Sequence, residues 1–243
     1  MAKKTGRGAE AVYRAASRWV DAALRNDDSL FTPDEPIWSL RNLDDFYNRF
    51  VLQPDESSDS FEIKFKRQLS GAPAETTQLA AEILYVHLLL PIPQAMGGRR
   101  KRELISGKDW AASPIAIPED LDEVLNDGLV NPGTSFHTAR WAQISLICQF
   151  VARWKRLSEQ DREEALLDPW TFKRQLFELD VPSSKTQREA LLNLAYPDTF
   201  APIVTREHKD QVVERFDYLL DSRTGDVDRH ILQIEARLTD DYG

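Results

Sequence analysis

The sequence has a single cysteine, Cys148, among 243 residues. That excludes a disulfide framework and a zinc site built on cysteines. It has no apolar run near the ~18–20 residues that span a bilayer, and 29% of its residues are charged. Positive charge is in short supply. Lys and Arg number 31 against 40 Asp and Glu, for a net charge of -9 and a pI near 5.1. An acidic surface of that kind repels nucleic acid except at a local basic patch. Enzyme motifs are missing too. There is no Gly-x-Ser-x-Gly and no His-Glu-x-x-His. Gly107-Lys108 is followed by Asp109, and position 102 is Arg, so a phosphate-binding loop fails at both ends. None of His87, His137, His208 and His230 has a metal partner at helical spacing. No metal and no cofactor are expected, and the chain reads as a non-enzyme. The start, Met1-Ala-Lys-Lys-Thr-Gly-Arg-Gly8, is basic with no apolar core behind it. It does not read as a signal peptide, so a cytoplasmic protein without membrane partners is expected.

What is present is core material: 42% hydrophobic residues and 6 Trp. Apolar spacings of three and four predict helices over 9–24, 38–51, 61–70, 76–90, 118–126, 136–157, 170–178, 184–195, 205–220 and 226–239. Ser184-Lys-Thr-Gln187 fits a capping box. On 136–157, Trp141, Ile144, Cys148 and Val151 make one stripe, and Ile147, Phe150, Trp154 and Leu157 a second. Two stripes mean a helix covered on most sides, hence the central helix. No segment alternates with period two. The expected fold is all-α, a bundle of about 9–11 helices, with a small β element near 109–118. It reads as one domain over 1–243. A weaker division into 1–157 and 168–243 falls at the polar stretch 158–164.

Two constellations bear on chemistry. Asp55 with Glu62-Ile63-Lys64 mimics a metal-dependent nuclease, in which two carboxylates hold a cation and a lysine helps activate water. That chemistry wants neighbouring strands, whereas the apolar spacing around Glu62 is four, so a solvated helix face is the plainer reading. The nuclease is kept as the alternative. The second is the run Arg99-Arg-Lys-Arg102 with Lys108, set off by Gly97-Gly98 and therefore expected to be exposed. It is the one compact cationic feature and the candidate contact for DNA phosphates.

The stretch Leu191-Leu-Asn-Leu-Ala-Tyr-Pro-Asp-Thr-Phe-Ala-Pro-Ile-Val204, followed by Arg206-Glu-His-Lys209 and Val212-Val-Glu-Arg-Phe216, resembles the segment just before the ATPase core in McrB-like AAA-family proteins of bacterial restriction and defence systems. The pattern from Ile231 to the terminal Tyr242-Gly243 continues it. Phe61-Glu-Ile-Lys-Phe-Lys-Arg-Gln-Leu69 and Gln78-Leu-Ala-Ala-Glu-Ile-Leu-Tyr85 are similar to the amino-terminal helical part of such proteins. The resemblance implies a non-catalytic recognition or adaptor domain. Its partners would be an AAA-family ATPase core, in cis or in trans, and the nuclease that core drives. DNA is a further candidate partner.

Overall fold

The computed structural model describes residues 7–242. The basic start at residues 1–6 and the terminal Gly243 lie outside the described residues. The described residues form thirteen α-helices. The first six are α1 (Arg7–Trp19), α2 (Leu40–Phe46), α3 (Phe61–Gln68), α4 (Ala74–Leu88), α5 (Gly98–Ile105) and α6 (Glu119–Val124). Next come α7 (Thr134–Thr138), α8 (Arg140–Trp154), α9 (Glu159–Leu167) and α10 (Pro169–Phe177). The last three are α11 (Lys185–Ala195), α12 (Arg206–Arg215) and α13 (Val227–Tyr242). The all-α expectation holds.

The differences from the spacing-based spans have local causes. α1 and α2 each finish in a wide π-turn, Val20–Arg25 and Tyr47–Val51. There the amide reaches back five residues: Asn26 N to Asp21 O and Leu52 N to Tyr47 O, both 3.1 Å. The helix expected over 136–157 is broken at Ala139 (φ −99°, ψ 31°) into α7 and α8. The basic run is itself a helix, α5. The polar stretch 158–164 is also helical. Ser158 caps α9 by accepting from Asp161 N at 3.1 Å.

Two expectations are corrected. No β element forms at 109–118. Trp110 N and Ala111 N fold back onto Gly107 O, and the Trp110 indole donates to Leu104 O at 2.7 Å, so the segment is a turn anchored in the core. Among the described residues the isolated bridge is elsewhere, between Pro91 and Val130. The capping box at 184–187 does not form either. Ser184 is fully buried and its hydroxyl donates to Val181 O, while the Gln187 amide donates to Gln143 Oε1 at 3.1 Å.

One core cluster extends from Val12 to Phe200, with α4 and α8 at its centre. Leu79 through Leu88 of α4 are all buried, and along α8 only Trp141, Gln149 and Arg153 reach solvent. Polar groups on such helices must be satisfied from inside. Glu82 on α4 accepts from Leu30 N at 2.9 Å, from the Trp38 indole at 2.7 Å and from Ser29. It thereby holds the segment from 29 to 38 against the core. Gln143 on α8 donates to Ser183 O at 2.8 Å. The carboxy-terminal pair α12–α13 is fixed by an ion cluster. Buried Lys209 bonds Glu189 and, at 2.6 Å, Asp228, while Lys173 bonds Asp226 and Asp228 at 2.5 and 2.7 Å.

The two tryptophans of α8 provide a test. Trp154 is 1% exposed and its indole donates to Leu24 O at 2.9 Å. Trp141, expected in the apolar stripe, is 52% exposed. Trp154→Ala is expected to cost about 3–5 kcal/mol in urea unfolding. Trp141→Ala is expected to stay within about 0.5 kcal/mol. Equal losses at the two positions would mean that α8 is not seated with this face inward.

Candidate functional site

The basic run does not form an exposed patch. Helical spacing sends its four side chains in different directions. Lys101 is fully buried, and its ammonium donates to Pro91 O at 2.7 Å and Asp127 O at 2.6 Å. It ties together the two segments that meet at the Pro91–Val130 bridge. Their approach is close enough that a Cβ on Gly128 would lie 2.1 Å from Pro91 O. Arg102 clamps Asp122 with bonds of 2.7 and 2.8 Å and reaches Asn126 at 3.0 Å. Arg100 is bonded to Glu62. Arg99, with a side chain 94% exposed, the half-exposed Arg100 beside its Glu62 partner and the exposed Lys108 are what the run presents to solvent.

The nuclease-like residues are likewise engaged. Asp55 sits in the loop before α3, accepts from Ser57 N at 3.0 Å and pairs with Arg67 at 2.8 Å. The Ser57 contacts, aided by Arg67, hold its carboxyl below the ordinary range. Glu62 and Lys64 both lie on α3, about 200° apart around the helix axis. Burial pushes Glu62 upward, but the backbone amide, Arg100 and Ser60 together hold it lower than usual. Among the described residues, no three His, Cys, Asp or Glu side chains gather into a metal-holding group.

A cleft of about 740 Å³ opens where the π-turn after α2, the 54–59 loop, α3, the start of α8 and the 180–182 turn meet. That is within the usual ~300–1,000 Å³ range of ligand sites. Phe50 and Val51, at the end of the π-turn, form part of its wall, and π-turns recur at functional sites. Trp141 and Phe61 add aromatic surface. Ser145 and Gln149 add polar atoms one and two helical turns further along α8.

Arg140 is the group that sets this cleft apart. It is 8% exposed, lines the cleft, and its guanidinium lies 5.0 Å from the Phe61 ring centroid. Among the described residues its side chain makes no hydrogen bond and no ion pair, and its Nε is buried without a partner. Glu62 acts on it electrostatically but is bonded to Arg100. Burial pushes the Arg140 guanidinium down from its ordinary value, and Arg100 adds to this. The next side chains repeat the theme. His137 Nδ1 is buried without a partner, and burial together with Arg140 lowers the pKa of that ring. Behind it His87 is fully buried, stacked on Phe136 at 4.2 Å and bonded to Gln187 Oε1 at 2.8 Å. Burial drives it down to about 3, so it stays neutral near pH 7. Cys148 is wholly buried, its thiol pushed upward by burial, and it packs as a small apolar residue.

The sequence offers one signal for this cleft that spacing alone passes over. Arg140 is the first residue of a helix whose remaining inner positions are mostly apolar. A charge placed there needs either a partner or a purpose.

Burial of Lys101 has a measurable consequence. Desolvation pushes its pKa down to about 8, against a pull upward from Asp127. The folded chain therefore releases this proton before the unfolded chain, whose lysines titrate near 10.4. Between those values the unfolded state binds more protons, so stability gains from this group as pH rises. The urea midpoint of the wild-type protein relative to Lys101→Met is expected to climb from pH 7.5 to pH 9.5. A difference that is flat or falls over that window would contradict the burial.

No protein-family model, curated protein or solved structure matches this chain.

Proposed function

We propose that this protein is a non-catalytic recognition domain whose ligand seat is the Arg140 cleft. One observation carries the reading: an arginine that is only 8% exposed, at the wall of a ligand-sized cleft, with its Nε buried and no hydrogen-bond partner among the described residues. A buried charge without a partner costs stability. A binding anion would satisfy it through paired N–H donors. In the setting implied by the resemblance carried on residues 191–216, this domain serves a cytoplasmic McrB-like defence ATPase. There it couples capture of a target or partner to a motor supplied in cis or in trans. Nucleotide hydrolysis and cleavage belong to those partners.

Stability is the first test. Removing a partnered buried arginine typically costs several kcal/mol, because its partner is left exposed to an apolar surround. Arg140 has no such partner. Arg140→Met is therefore expected to melt at or above the wild-type temperature in calorimetry, as happens when a strained functional group is replaced. A loss of more than about 2 kcal/mol would assign the guanidinium to the fold instead.

A further inference from the structure

The charges around the cleft point to its ligand. Against the two cations in its lining, Lys64 and Arg140, stand four carboxylates, Asp55, Glu56, Asp59 and Asp180. Arg67 occupies Asp55 and Asp59, which leaves Glu56 and Asp180 facing the opening. A polyanion needs a row of cations along its backbone. This rim repels one. A single carboxylate at the inner wall needs one fork of N–H donors, and Arg140 has no hydrogen-bond partner among the described residues. Trp141 and Phe61 give flat apolar surface beside it, and Ser145 and Gln149 offer hydrogen bonds to a peptide backbone.

On these grounds, and resting on the recognition reading above, we infer that the cleft captures the C-terminal carboxylate of a partner protein. The carboxylate meets Arg140, the side chain of the last residue lies against Trp141 and Phe61, and a Lys or Arg a few residues upstream faces Glu56 and Asp180. A chain end suits a recessed arginine better than an internal acidic residue does. It needs one path out of the cleft, where an internal residue needs two.

The experiment uses the full chain and a library of short peptides randomised at their last positions, each made as the free acid and as the C-terminal amide. Tryptophan fluorescence and calorimetry read binding. Members with a large apolar last residue and an upstream Lys or Arg are expected to bind as free acids. Amidation is expected to weaken them roughly tenfold or more, the scale of a charge-assisted hydrogen-bond pair. In Arg140→Met the free acid is expected to fall to the level of the amide, with no further loss on amidation. Glu56→Gln with Asp180→Asn is expected to weaken the basic peptides selectively. Equal binding of acid and amide by the wild type would overturn the carboxylate assignment and leave the recognition reading standing. So would binding of a single-stranded oligonucleotide, lost in Arg140→Met, with no peptide bound. If no peptide binds and Arg140→Met is strongly destabilised, both readings fall.

Discussion

Two helices, α4 and α8, have almost no solvent face, and most of the interior is arranged around that constraint. A polar group on either helix cannot turn to water, so its partner must come from the rest of the chain. Glu82 draws in the Ser29 hydroxyl, the backbone amides of Leu30 and Phe31 and the Trp38 indole. Gln143 recruits the 183–187 turn by accepting from one amide and donating to one carbonyl. His87 takes Gln187. In each case a long-range contact fixes where another segment lies. Arg140 is the charged exception on the same pair of helices: buried Glu82 has its partners, and the Arg140 Nε has none among the described residues.

The ionic groups divide by depth. Those at the surface, such as Arg18 with Asp120 or Arg156 with Asp44, sit in water and contribute little. The cluster of Lys173, Glu189, Lys209, Asp226 and Asp228 is different, since Lys209 and Asp228 are almost wholly buried. Burial pushes Glu189 upward, with Lys209 opposing it. Burial also pushes Asp226 upward, but Lys173 prevails and holds it below the ordinary range. Such a cluster gives directional contacts to a junction with little apolar area, where Ala201, Val227 and Ile231 form only a small apolar group. The His208-Lys209 element lies here, and Lys209 is part of the joint between α11 and α13.

Helix periodicity made the architecture legible, because the apolar stripes that mark burial are the stripes that pack. The central position of 136–157 followed from its two stripes. The break at Ala139 did not, since Ala is a good helix former and nothing in its neighbours forbids continuation. The basic run misled for a related reason. Four cations in a row look like one surface when written on a line, but successive helical residues diverge by about 100°. Lys101 therefore went inward to two carbonyls, and Arg100 and Arg102 went sideways to Glu62 and Asp122. The cleft was least legible. Its walls come from segments more than a hundred residues apart, and the feature that defines it is a missing bond, which no local pattern records.

The wide turn at Tyr47–Val51 has a consequence for how the protein could have been shaped over time. A π-turn is an α-helix that has accepted one extra residue without unwinding. In a chain lacking that residue, α2 would run on in ordinary register and every later side chain of the helix would be rotated by about 100°. Phe50, now stacked at 5.1 Å on Phe46 and set edge-on to Phe65, would leave that aromatic cluster. Val51 would leave the wall of the cleft with it. A single codon at this point therefore separates two helices that differ by one residue, one that closes off the Arg140 wall and one that builds it.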